Sequence, residues 1–124
     1  MLDIGATHLA KQRTLFMSSP VTIQRNGETD IAINATKGVS DFSYVDEYGV
    51  DVLSQSKDYI VLASDVTFAN PLPKQNDIIV EVIEGYTIES EVLSFGNEPH
   101  YRFTDSFKKE IRIHTREFKR EIAP

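Results

Sequence analysis

The residues of this chain best suited to chemistry are three histidines, His8, His100 and His114, and a few neighbouring carboxylates. A three-histidine metal centre needs imidazoles that converge on one point. Here one histidine falls in a helical pattern, one in a turn and one on the outward side of a strand pattern, with no His-x-His or His-Glu-x-x-His spacing. Asp46 with Glu47, and Glu89 with Glu91, have the makings of an acid and a base. General acid–base work also needs a pocket or a charged neighbour that shifts a pKa, and the sequence supplies neither. The acidic stretch "DEYGVDV", Asp46 to Val52, lacks the alternating ligand positions of a calcium loop and reads as an exposed ribbon tip open to a partner. There is no Gly-rich phosphate cradle and no G-x-S-x-G elbow. The absence of cysteine excludes a thiolate metal site, a disulfide framework and a cysteine nucleophile. No catalytic residue, cofactor or metal is assigned.

Residues 100–118, "HYRFTDSFKKEIRIHTREF", hold a second kind of chemistry. Aromatics interleaved with Lys and Arg are how single-strand binders stack bases and neutralise phosphates. Yet Tyr101, Phe103 and Phe107 share strand parity with Ile111 and Ile113, which assigns them to a core face. The net charge of −6 also opposes wholesale phosphate binding. Charge is unevenly distributed. Asp41 to His100 carries twelve acids against Lys57 and Lys74, whereas Tyr101 to Arg120 carries seven bases against three acids. Opposite fields on one subunit suit head-to-tail contacts between identical copies.

The elements that must position these residues are mainly strands. Leu2, Ala6, Leu9, Arg13 and Phe16 recur at three or four and predict an N-terminal helix or arm over residues 1–19, closed by "SSP". From Pro20 the period becomes two. Val21 and Ile23, then Ile31 and Ile33, flank Asn26-Gly27, a strong hairpin signal because both turn residues tolerate positive φ. Alternation continues through Phe42, Tyr44, Tyr48, Val50 and Val52 to the apolar run Tyr59–Leu62. Strands follow at Ile78–Ile83 and Tyr86–Phe95, joined at Gly85. A last strand has Phe107, Lys109, Ile111, Ile113 and Thr115 inward, and Lys108, Glu110, Arg112, His114 and Arg116 outward. The pattern predicts a mainly β fold: an antiparallel β-sandwich or small β-barrel with an N-terminal α-helix. The β domain is expected over 20–118, with a C-terminal tail at 119–124.

At 124 residues the chain reads as one domain with a core of its own. Asp3, His8, Lys11, Gln12 and Arg13 interrupt any signal-peptide core, and no apolar run is long enough for a transmembrane helix. The expectation is that the mature protein is the whole chain and that no membrane is among its partners.

One set of motifs points further. "PHYRFTDSFKKEIRIHT" at Pro99–Thr115 resembles the "P-W-R-[WY]-S-D-P-[YF]-R…L-R-I-H-T-K" ending of small tailed-phage and prophage head–tail joining proteins, the head completion or connector family that includes the lambda type of attachment protein. "GATHLAKQRTLFMSSPVTIQRNG" (Gly5–Gly27), "ATKGVSDFSYVDEYGV" (Ala35–Val50) and "LSQSKDYIVLASDV" (Leu53–Val66) are similar to family segments in the same order. The chain departs in having Tyr101 where tryptophan is frequent and Ser106 where proline is common.

The resemblance implies a non-enzymatic virion protein at the head–tail interface, made in the host bacterial cytoplasm. It implies a homo-oligomeric ring beneath the portal that seals the filled head and receives the tail. The implied partners are other copies, the portal or connector protein, tail proteins and, without sequence specificity, the passing genomic DNA. Joined to the charge pattern, it nominates Asp46, Glu47, Tyr48 and Asp51 on an acidic loop, and Lys108, Arg112 and Arg116 on a basic strand, as interface residues. The alternatives from the residues alone are a β-barrel enzyme or ligand-binding domain with a pocket at Tyr44, Tyr59 and His100, or a single-strand nucleic-acid binder.

Overall fold

In the computed structural model the described residues are 18–96 and 98–122. They form seven strands: β1 (Ser19–Gln24), β2 (Ile31–Val45), β3 (Asp51–Leu62), β4 (Ile78–Ile83), β5 (Tyr86–Val92), β6 (Tyr101–Phe103) and β7 (Glu110–Ile122). The mainly β, sandwich- or barrel-like class expected from the alternation fits. The fold class needs one correction, its α-helix. Among the described residues the only helical turn is the short 3-10 segment Ala63–Asp65, and the expected N-terminal helix falls outside those residues.

Every pairing is antiparallel, in the order β3-β2-β1-β4-β5-β7-β6. β3 also pairs with β7, Lys57 opposite Thr115 through Leu62 opposite Glu110, so the sheet closes on itself. Closure removes edges that would otherwise be open to aggregation. Two turns carry the chain exchange where the sequence signals them. Gly27 (φ 82) turns β1 into β2, and Glu84 (φ 50) with Gly85 (φ 81) supplies the two positive-φ residues of the β4–β5 hairpin. β7 runs through Ile122, past residue 118, where the alternation places the end of the β domain.

Inward residues build one apolar core. It includes Val21, Ile23, Ile33, Ala35, Tyr59, Val61, Ile79, Val92, Ile111 and Ile113, each under a tenth exposed. Buried charge closes it off on two sides. Arg25 forks onto Asp77 through Nε (3.0 Å) and Nη2 (2.7 Å), and its guanidinium lies 4.2 Å from the Phe68 ring centroid. Elsewhere Glu81 accepts from the Tyr59 hydroxyl (2.8 Å) and pairs with Lys57 (2.6 Å) and Lys37 (3.1 Å). Burial pushes the Glu81 carboxyl up, but the hydrogen bonds from Lys57, Tyr59 and Lys37 outweigh it and hold the group ionised, below its ordinary range. Burial raises the Tyr59 hydroxyl well above the usual phenol value, so it stays a donor.

The last strand departs from the simple in–out reading. Ile111, Ile113 and Thr115 do face inward, but Glu110 and His114 on the opposite side are buried as well. At His114 that face is roofed by Phe42 from β2, backed by Phe95 from the stretch between β5 and β6, and at Glu110 Thr104 Oγ1 donates to the carboxylate at 2.7 Å. Phe42 stacks on Phe95 at 5.2 Å and meets the His114 ring edge-on at 5.1 Å. Phe107 departs in the other sense. It lies in the β6–β7 turn, 38% exposed, because Lys108 takes φ 56 and breaks the strand parity that assigned it to the core.

Candidate assembly interface

β2 and β3 stay paired well beyond the closed sheet, from Ser40 opposite Ser56 to Val45 opposite Asp51. Six residues at about 3.3 Å each make an arm about 20 Å long. Strand alternation gives the arm two unlike faces. Ser40, Phe42, Tyr44, Val52 and Ser54 are partly buried, while Val39, Asp41, Ser43, Val45, Leu53 and Gln55 are exposed. Leu53 is 80% exposed, Val45 63% and, at the tip, Tyr48 83%. These apolar side chains stand open to solvent, interleaved on the face with Asp41, Ser43 and Gln55. From Ser40 to Ser56 the arm carries Asp41, Asp46, Glu47 and Asp51 and no basic residue.

The tip is fixed by its own first residue. The Asp46 carboxylate accepts from the backbone N–H of Tyr48 and Val50, both at 2.9 Å, and Gly49 takes φ 77 to complete the turn. The base is fixed by a buried cluster. Asp58 is fully buried on β3 and accepts from Arg112 Nε (2.5 Å), His114 Nδ1 (2.8 Å), Ser40 Oγ (2.5 Å) and Ser56 Oγ. Burial alone would raise its pKa; the bonds from His114, Ser40, Ser56 and Arg112 outweigh this and hold Asp58 well below the usual carboxylate range. Ser56, His114 and Asp58 are near neighbours without forming a nucleophilic relay. With Nδ1–H committed to Asp58, the imidazole nitrogen 3.4 Å from Ser56 Oγ has no lone pair to take a hydroxyl proton. Arg112 Nη2 also donates to Val39 O at 2.9 Å and lies over Gly38, where an added Cβ would meet Nη2 at 3.0 Å. Gly96 (φ 57) likewise abuts Tyr44, at 2.9 Å from its would-be Cβ.

Between the underside of the arm and Phe95, Gly96, Glu98 and Arg102 lies an open cleft of about 390 Å³. Phe42, Tyr44 and Phe95 supply its apolar wall, and Glu98 and Arg102 its charges; the Asp41 carboxylate lies on the other face of the arm, where it accepts from Gln55 Nε2 at 2.9 Å.

The nominated interface residues fall in three places. Asp46, Glu47, Tyr48 and Asp51 sit together at or beside the arm tip. Lys108 is on the β6–β7 turn, at the other end of the β3–β7 ladder from the arm. Arg112 is folded inward onto Asp58, whereas Arg116 is exposed on β7, one residue past the last β3 pair. The basic residues therefore do not share one outward strand face. The pocket residues of the enzyme alternative do not come together either. Tyr59 is inside the core, Tyr44 is on the arm, and His100 is spent on Pro73 O at 2.8 Å. Tyr101 and Phe103 pack against the core, as their parity indicates. Sequence reasoning missed the exposed Val39, Val45 and Leu53, and missed Asp58. The signals were a run of alternation too long for a small sheet, and a lone acid heading the apolar run "DYIVL".

A comparison with curated proteins gives no match. The family model described as phage head-tail joining protein matches residues 1–122, nearly the whole chain. By that match the chain belongs to the phage head–tail joining protein family.

Proposed function

We propose that the protein works as a structural, non-catalytic component of the virion, copies of which form a ring at the portal, complete the filled head and receive the tail. The family match carries the reading, and the arm gives it a physical means. Heterologous contacts close into rings when the rotation between copies is right, and an element reaching about 20 Å from a closed domain suits such contacts. In this reading the arm, with Tyr48, Val45 and Leu53 as apolar anchors and Asp46, Glu47 and Asp51 around them, engages a neighbouring copy or the portal. Arg116, exposed on β7 opposite Glu91, and Lys108 offer positive charge to acidic surfaces of neighbours or to DNA in transit. The host cytoplasm is then the place of assembly and the head–tail interface the final location.

The test is direct. Purified protein is mixed with DNA-filled, portal-bearing heads that lack tails, and the particles are imaged. Rings at the portal vertex and restored tail attachment are expected. Heads that remain bare at saturating protein would contradict the proposal.

A further inference from the structure

Outside the arm, most of the open apolar side chains gather where β4, β5 and β7 run on together. β7 parts from β3 after Thr115 but stays paired with β5 as far as Ile122 opposite Tyr86, and Tyr86 in turn faces Ile83 on β4. Ile83, Tyr86 and Ile122 thus form one row across three strands. They are 36%, 41% and 81% exposed. Residues directly opposite in antiparallel strands share a face, and alternation along β4 puts Ile83 on the same side as Glu81 and the core residue Ile79. The row is the core-facing side of the sheet continued past its polar stop, where Glu81 holds Lys37, Lys57 and the Tyr59 hydroxyl. Ile88, opposite Glu81, is only 2% exposed yet stands apart from the contiguous core, so its cover comes from elsewhere.

The chain itself arrives at this row. β1 pairs with β4 at Thr22 opposite Val80 and Ile23 opposite Ile79, a register that sets Ser19 level with Ile83. The residues ahead of Ser18 lie outside the described part, and their sequence holds Leu2, Ile4, Leu9, Leu15 and Phe16. Phe16 is three residues from Ser19, a reach of at most about 11 Å, and the row spans two strand spacings, about 10 Å. A side chain on so short a tether is presented at an effective concentration on the order of millimolar, which favours its own copy over another in dilute solution.

We infer that the row of Ile83, Tyr86 and Ile122 is the docking site of the chain's own N-terminal segment, residues 2–17, with Phe16 against the row. The contact is internal to one subunit, leaves the arm free and does not depend on the joining role.

The chain has no tryptophan, so Phe16→Trp places a single indole in the segment. Its emission in the folded, full-length protein should be blue-shifted and shielded from acrylamide, and both properties should be lost in urea. Ile122→Asp, at a position 81% exposed, should weaken docking about tenfold and return quenching toward the level in urea while the protein still melts cooperatively. Tyr86→Asp repeats the test from the neighbouring strand. Leu53→Asp on the arm should leave the indole shielded. An indole open to acrylamide in the parent, shielding that survives both variants of the row, or release by Leu53→Asp would each overturn the inference. So would shielding that fades on dilution, which would assign the segment to a second copy.

Discussion

The arm hairpin and the β6–β7 hairpin share a turn design, Asp46 and Asp105 each accepting from the backbone N–H groups two and four residues on, and differ in what holds them. The strands of the second tip lie on the core: Tyr101 and Phe103 pack against it, and Ile111 and Ile113 belong to it. Apart from Tyr44, which abuts Gly96, the distal half of the arm rests on its own pairing among the described residues, and its stability comes from the base, where Asp58, Arg112, His114, Phe42 and Phe95 converge. The same turn chemistry thus makes a rigid corner in one place and a free lever in the other. Local stability follows buried contacts rather than hydrogen-bond count.

The largest effect is expected at the base. Asp58→Ala leaves the half-buried Arg112 without its counter-charge and strips the buried His114 and Ser56, and Ser40, of an acceptor. It should cost about 3–5 kcal/mol in denaturant unfolding. An effect under about 1 kcal/mol would mean that the cluster does not support the arm. The Arg112→Glu change should behave like Asp58→Ala, whereas Arg116→Glu should leave unfolding unchanged and act only on assembly.

Acid provides the next test. The pKa of Asp58 is depressed in the folded state, so the unfolded chain binds more protons as the pH falls below about 4. The stabilisation is present above that pH and is lost as the pH drops further, through the folded-state value. Glu81 acts with the same sign. Melting temperature should fall steeply from pH 4 to pH 2 in the wild type and less steeply in Asp58→Asn. Parallel curves would remove Asp58 from the account.

The turns themselves sharpen the contrast. Asp105→Ala frees two backbone N–H groups in a hairpin tied to the core, and should cost about 1–2 kcal/mol globally. Asp46→Ala frees the same two groups on the lever and should cost less than about 0.5 kcal/mol globally. Its effect should appear instead as faster amide exchange at Tyr48 and Val50. Equal global costs would deny that the arm is independent. Smallest is Lys108→Gly, where relief of a left-handed lysine narrowly exceeds the added chain entropy and stability rises by about 0.5 kcal/mol.

What was legible in the sequence was local. Asn26-Gly27 and Gly85 mark their hairpins, because positive φ is a property of the residues themselves. The period of two marks the strands for the same reason. The outer face of β7 was not legible. Whether His114 meets water or a roof depends on Phe42, 72 residues away, and on Phe95, in a stretch with no pattern of its own. Arg112 read as an outward charge because its partner Asp58 lies 54 residues earlier. The cleft was invisible because it exists only once the arm crosses Phe95, Gly96, Glu98 and Arg102. The acidic tip was found from composition, but its apolar companions were not, since an alternating Val45 or Leu53 looks the same whether its face is covered or bare.

The central claim is that the bare face of the arm joins this protein to its neighbours in the virion. The most direct measurement is the yield of tailed, DNA-retaining particles from tail-less heads supplied with wild type or with the Val45→Asp, Leu53→Asp double variant. Both side chains are more than half exposed, so the variant should fold with an unchanged melting temperature. The account predicts a loss of particle yield of at least about tenfold, the equivalent of one buried apolar anchor. Normal yield from a folded double variant would contradict it.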